Sequence, residues 1–235
     1  MLRLVVALVL CLVASSSFAA GRVALVIGNG AYQNATPLTN PVHDATAIAE
    51  TLEAIGFTVV VGTDLDKPGM ERTLRDYASA LRGADMALFY YSGHGLQVNG
   101  INYLVPVDAQ LADETSLAFE MIDADLVFNL MGGNDRLALA FLDACRDNPL
   151  ARSLKRSLGK TRSAAVGNGL AAPDTVGTGL FISFSTAPND VALDGTGEFS
   201  PFTEAVLEHI ATPGLEINQV MTRVKAAVSA ATNVS

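Results

Sequence analysis

Cysteine is scarce in this chain, with two among 235 residues, Cys11 and Cys145. No intrachain disulfide framework is expected, because Cys11 falls in an N-terminal leader-like stretch and leaves Cys145 alone. Basic charge is also short: 15 Lys and Arg stand against 24 Asp and Glu, a formal charge of −9. That balance offers a phosphate backbone no electrostatic footprint and argues against nucleic acid as a partner. Beyond the leader no apolar run approaches the length of a membrane span, so no stable membrane insertion is expected of the mature chain. Repeats are absent, as are a Walker A sequence and a Gly-x-Ser-x-Gly elbow, which excludes P-loop enzymes and the usual α/β-hydrolases. Gly28-Asn29-Gly30 follows a strand-like run, yet the third glycine of a dinucleotide fingerprint would fall at Gln33. A tight turn is the simpler reading. The three histidines have no zinc-ligand spacing with one another or with Cys145, and no metal site is expected.

What is present is half hydrophobic and 17% charged, the composition of an ordinary globular domain. Arg3, an apolar run over Leu4 to Ala14, and small residues at Ser17 and Ala19 read as a secretory signal peptide spanning residues 1–19. An uncleaved anchor is the alternative. Cleavage would remove Arg3 and give 14 − 24 = −10, and would place the chain in the periplasm or outside the cell. An exported protein with a single thiol either buries it inertly or uses it.

Along the remaining chain, strand-like runs alternate with amphipathic helices. Strands are expected at Val23–Ile27, Phe57–Val61, Ala84–Tyr91, Leu137–Leu142 and Leu180–Phe184. Helices are expected at Asp44–Ile55, Met70–Leu81, Asp123–Leu130, Phe202–Ile210 and Ile217–Val228, with a hairpin around Asn99 and Gly100. The stretch from Asn148 to Gly177, carrying Arg152, Lys155, Arg156, Lys160 and Arg162, reads as one long irregular basic loop. Such alternation predicts an α/β fold, a three-layer sandwich around a mainly parallel sheet. Chemistry in these sheets collects at the carboxyl ends of strands, where Ser92-Gly93-His94-Gly95 and Asp143-Ala144-Cys145-Arg146 are expected to lie.

A thiol with a pKa near 8.5 is a weak nucleophile at neutral pH until a neighbouring imidazole takes its proton. His94 is the candidate base, since glycines on both sides let the backbone turn sharply and expose the ring. His43 reads as a helix cap or surface residue, and His209 as a partner of a helix C-terminal dipole.

These two segments, 51 residues apart from His94 to Cys145, resemble the His and Cys motifs of caspase-like cysteine peptidases of the metacaspase and bacterial orthocaspase branch. The resemblance runs from Val23 through Leu38-Thr39-Asn40-Pro41-Val42-His43-Asp44-Ala45 to Ser183-Phe184-Ser185-Thr186-Ala187-Pro188 and the terminal helices. It implies a catalytic Cys145–His94 dyad cleaving peptide bonds through an acyl-enzyme thioester. The backbone N–H groups of Gly95 and Cys145 would hold the oxyanion, at roughly 3 to 4 kcal/mol per donor.

The resemblance also maps an acidic first subsite onto Asp44, Ser92 and Asp143. Two carboxylates there would accept Arg or Lys and repel Asp, so protein or peptide substrates with Arg or Lys before the scissile bond are expected. Alternatives for the two acids are a helix N-cap at Asp44 and a loop-bonding carboxylate at Asp143. It further divides residues 20–235 into a large-subunit-like part to about 150, a basic loop over about 151–178 and a small-subunit-like part over about 179–235. The basic residues from Arg152 to Arg162 would themselves attract an Arg- or Lys-specific enzyme, so autocleavage in that loop is expected. No cofactor is required, while calcium activates many relatives. Asp108, Asp113, Asp123 and Asp125 are the acidic candidates, without EF-hand spacing. Arg146 and Asp147 depart from the His and Gly common after the cysteine in metacaspases. The competing function is a catalytically silent caspase-like binding or scaffold module.

Overall fold

In the computed structural model the described residues are 21–132, 136–144, 149–162, 166–167, 170, 179–185 and 197–232. The leader, Cys145, Arg146 and Asp147 lie outside them. Strands β1 (Gly21–Gly28), β2 (Thr58–Thr63), β3 (Ala84–Ser92), β7 (Leu137–Asp143) and β8 (Leu180–Phe184) form one sheet in the order β2-β1-β3-β7-β8. Every pairing in it is parallel. β4 (Gly95–Val98), β5 (Ile101–Leu104) and the two-residue β6 (Ile122–Asp123) make a small antiparallel sheet beside its carboxyl edge. Asn99 and Gly100 both have positive φ, 53° and 84°, which gives the two-residue β4–β5 hairpin the twist an Asn-Gly turn favours.

The apolar runs of β1, β3 and β7 are buried on both faces, as a parallel sheet between helices requires. Val23, Leu25, Ile27, Phe89 and Tyr91 join Met70, Leu74 and Tyr77 of α2 (Lys67–Ala80) and Val127 and Phe128 of α4 (Ala124–Met131). On the other face Ala24, Val26, Leu88, Tyr90 and Phe141 meet α1 (Pro41–Ala54), α6 (Pro201–Ile210) and α7 (Ile217–Thr232). The three-layer sandwich expected from the sequence is therefore present. A short α3 (Ser116–Glu120) precedes β6.

Two local features set the sheet's working edge. Gly28 ends β1 where a Cβ would collide with the Pro41 carbonyl and come within 2.6 Å of the Ala45 Cβ, so α1 can pack directly on the strand end. Asn29, fully buried, then ties that end to two other segments: its Nδ2 donates to the Val105 carbonyl at 3.1 Å and its Oδ1 accepts the Leu65 N–H at 2.9 Å. The Gly28–Gly30 segment is thus a pinned turn.

The segment expected as an irregular loop from residue 148 begins instead as α5 (Pro149–Arg162). Its basic residues masked a helical pattern. Leu150 and Leu154 stand four apart and, with Ala151, are buried in a third cluster with Tyr32, Leu96, Val98 and Val105, while Arg152 and Arg156 face solvent. His43 sits exposed within α1 and His209 in the last turn of α6, close to the surface and dipole roles expected of them.

Candidate active site

The carboxyl ends of β1, β3 and β7 are in register, with Gly28 beside Ser92 and Ser92 beside Asp143. His94 follows two residues after Ser92, and Cys145 two residues after Asp143. Two links splice these neighbouring tips: the Gly93 N–H donates to the Asp143 carbonyl at 3.2 Å, and the Asn29 N–H donates to the Ser92 carbonyl at 2.9 Å. Gly95, the expected oxyanion donor, lies so close to the other motif that a Cβ on it would be 2.9 Å from the Ala144 carbonyl oxygen. Ala144 itself is fully buried.

His94 is held along its backbone from both sides. Its N–H donates to the Tyr32 hydroxyl at 2.7 Å, while its carbonyl accepts the Tyr91 O–H at 2.8 Å and the Val105 N–H at 3.1 Å. Gly93 is required at this turn, since a Cβ there would sit 2.6 Å from the Tyr32 hydroxyl and 2.9 Å from that of Tyr91. The imidazole is not the exposed ring expected from its flanking glycines. It is 1% exposed, because the space at Gly93 is filled by the Tyr32 and Tyr91 hydroxyls and that at Gly95 by the Ala144 carbonyl and the Leu170 side chain, and the Tyr32 ring lies 4.5 Å away at 47°.

Nε2 of His94 lies 2.8 Å from the Thr36 carbonyl oxygen. A carbonyl only accepts, so Nε2 carries the hydrogen of the neutral ring and Nδ1 carries the lone pair. This tautomer suits a base: a proton taken at Nδ1 makes an imidazolium whose other N–H is already engaged.

Asp44, Ser92 and Asp143 are brought together, buried at 0%, 0% and 1% exposure. The Ser92 hydroxyl donates to Asp44 Oδ2 at 3.0 Å. Ser200, at the N-cap of α6, touches both acids: its N–H donates to Asp44 Oδ1 at 3.0 Å and its hydroxyl to Asp143 Oδ2 at 2.5 Å. Asp44 is not the cap of α1, which is Asn40. Asp143 bonds the cap of α6 across 57 residues. Ser200 is the residue the sequence did not reveal, and only the Ser-Pro start of a helix marked it. Beneath this group, Tyr90 has its phenol pushed well above the ordinary tyrosine range, first by burial and then by the charges of Asp44 and Asp143. It remains a protonated donor at neutral pH.

Three of the four acids considered for calcium accept backbone N–H groups, and Asp125 lies in the first turn of α4. Asp108 accepts the Lys67 N–H at 3.0 Å, Asp113 the Thr115 and Ser116 N–H groups, and Asp123 caps α4 through the Asp125 N–H. Among the described residues no group of three or more His, Cys, Asp or Glu side chains is arranged to hold a metal ion.

A parallel sheet between helices, with a histidine turn and the Asp143-Ala144 segment leaving adjacent strand tips, defines a caspase-type architecture. The chain belongs to the caspase-domain family of peptidases, whose family profile matches residues 21–235. Two curated relatives are the human mucosa-associated lymphoid tissue lymphoma translocation protein 1 and its mouse homolog. Each is 34% identical over 88 residues, which is 37% of this chain. The chain spans only 11% of the length of either relative.

Proposed function

We propose that the protein is a cysteine endopeptidase in which Cys145 is the nucleophile, His94 its base, and Asp44, Ser92 and Asp143 the subsite for an Arg or Lys side chain. The observation that carries this reading is the convergence of two buried carboxylates beside the His94 turn, Asp44 of α1 against Ser92 at the tip of β3 and Asp143 at the tip of β7. A guanidinium or ammonium meeting both acids gains charge-assisted hydrogen bonds, whereas an Asp side chain meets like charge.

In the proposed reaction Nδ1 of His94 takes the Cys145 thiol proton, and the thiolate attacks the carbonyl carbon before the scissile bond. The oxyanion is received by the backbone N–H groups of Gly95 and Cys145. Collapse expels the amine, which receives the proton from His94, and water then hydrolyses the thioester with His94 again as base. An exported location and activation by calcium remain proposals from the sequence.

A fluorogenic peptide panel varying the residue before the scissile bond, run with and without calcium, tests the reading. Cleavage after Arg and Lys that Cys145→Ala and His94→Ala both abolish is expected. Cleavage after Asp, or no cleavage by a folded wild-type protein under either condition, overturns it and favours a binding module.

A further inference from the structure

Ser200 lies outside the dyad and outside the strand tips, yet it is the one described residue that hydrogen-bonds to both Asp44 and Asp143. We propose that Ser200 is the positioning residue of the basic-side-chain subsite: from the N-terminus of α6 it fixes the spacing and direction of the two carboxylates that grip the substrate. The inference rests on the subsite reading above and adds a residue and a helix to it.

Two carboxylates held away from water, Asp44 on α1 and Asp143 at the end of β7, repel each other whenever both are ionised and turn toward any donor available. Ser200 supplies a donor to each, a backbone N–H to Asp44 and a hydroxyl to Asp143, from one rigid cap. The cap is itself fixed, because Ser200 Oγ accepts the Thr203 N–H at 3.0 Å. The N-terminus of a ten-residue helix also carries partial positive charge, which favours the anions it meets.

The hydroxyls behind Ser200 form a directed chain. Ser200 has one hydroxyl hydrogen and two acceptors in reach, Asp143 Oδ2 at 2.5 Å and Thr203 Oγ1 at 2.9 Å. The carboxylate is the stronger acceptor, so the Ser200 hydrogen goes to Asp143 and the Thr203 O–H turns back to Ser200 Oγ. Tyr90 lies 2.6 Å from Thr203 Oγ1 and, as a buried phenol, donates to it. The order is then Tyr90 to Thr203 to Ser200 to Asp143, each bond polarising the next toward the acid. All four residues are buried at 0% or 1% exposure, so bulk water does not replace a lost link directly.

The test is steady-state cleavage of paired Arg and Lys peptides by the full chain, with the rate of Cys145 alkylation by iodoacetamide measured alongside. Iodoacetamide is uncharged and reads the dyad without using the basic subsite. Ser200→Ala is expected to raise KM for the Arg peptide by about tenfold or more, the scale of a lost hydrogen bond to a charged group, and to alter the Arg-to-Lys preference. It should leave kcat and the alkylation rate within about twofold, and Ser200→Thr should restore most of the KM. Tyr90→Phe, which cuts the far end of the chain while keeping the ring, should raise KM in the same direction and serves if Ser200→Ala does not fold.

Unchanged KM and unchanged Arg-to-Lys preference in the folded variants overturn the inference. So does a fall in kcat matched by slower alkylation, the mark of a general structural defect. Asp44→Asn and Asp143→Asn separate the two levels: if they lose basic cleavage while Ser200→Ala does not, the subsite stands and the role of Ser200 falls. A wild-type protein that leaves both basic peptides intact overturns the subsite and this inference together.

Discussion

Replacing Tyr32 by Phe removes one oxygen from the support of His94 and little else. The ring at 4.5 Å from the imidazole stays, so no cavity forms and the change removes the contacts of the hydroxyl, among them a long one of 3.4 Å to the Tyr91 hydroxyl. The short bond lost is the His94 N–H to the Tyr32 hydroxyl at 2.7 Å, in a site where Tyr32 and His94 are 5% and 1% exposed. A buried N–H left without its acceptor costs about 1–3 kcal/mol. With a urea m-value near 2 kcal/mol per molar, a 2 kcal/mol loss lowers the unfolding midpoint by about 1 M. Activity should fall further than stability, because a displacement of about 1 Å at a catalytic group can cost on the order of a hundredfold. Tyr91→Phe removes the donor to the His94 carbonyl at 2.8 Å, and the double variant should show a coupling of about 0.5–3 kcal/mol, since both tyrosines hold one residue. The assay is urea unfolding paired with kcat/KM on an Arg peptide. A midpoint shift under about 0.2 M with unchanged kcat/KM would refute the claim that Tyr32 holds the histidine turn.

Gly28→Ala places a methyl group against the Pro41 carbonyl and 2.6 Å from the Ala45 Cβ, so α1 must move off the strand; a loss of about 1–3 kcal/mol in urea unfolding is expected, and a neutral result would show that the helix shifts freely. Alkaline pH should destabilise the fold through Tyr77 and Tyr90, whose phenols burial holds above the ordinary tyrosine value of 10.0. Their contribution is intact below pH 10 and is lost as pH rises from there toward the folded values, because the unfolded chain releases protons that the folded one retains. Unfolding midpoints measured from pH 8 to 11 should decline above about 10 in the wild type and less in Tyr90→Phe; parallel curves would contradict the assignment.

Much of this molecule is legible in one dimension because its central strands are buried on both faces. Ala84–Ser92 and Leu137–Asp143 are continuous apolar runs, and such runs stand out whatever surrounds them. The strand ends were equally readable: Ser92 and Asp143, chosen from separate motifs, pair in register. The helix over Pro149–Arg162 was obscured because five basic side chains in that segment outweighed the Leu150–Leu154 spacing, and its buried face became apparent only against Tyr32 and Leu96. Ser200 was hidden for a different reason. Its partners Asp44 and Asp143 lie 156 and 57 residues away, and a serine before a helical proline looks the same whether it caps a surface helix or two buried acids. The burial of the His94 ring was likewise unreadable, since flanking glycines leave room without saying what fills it.

The most direct test of the account is the pH dependence of Cys145 alkylation by iodoacetamide, with the modified residue located by peptide mapping, in the wild type and in His94→Ala. Paired with the imidazole, Cys145 should already react rapidly at pH 6, and in His94→Ala its reactivity should rise only toward the ordinary thiol range near 8.5. Superimposable profiles from the two folded proteins would contradict the pairing of Cys145 with His94 on which the proposed chemistry depends.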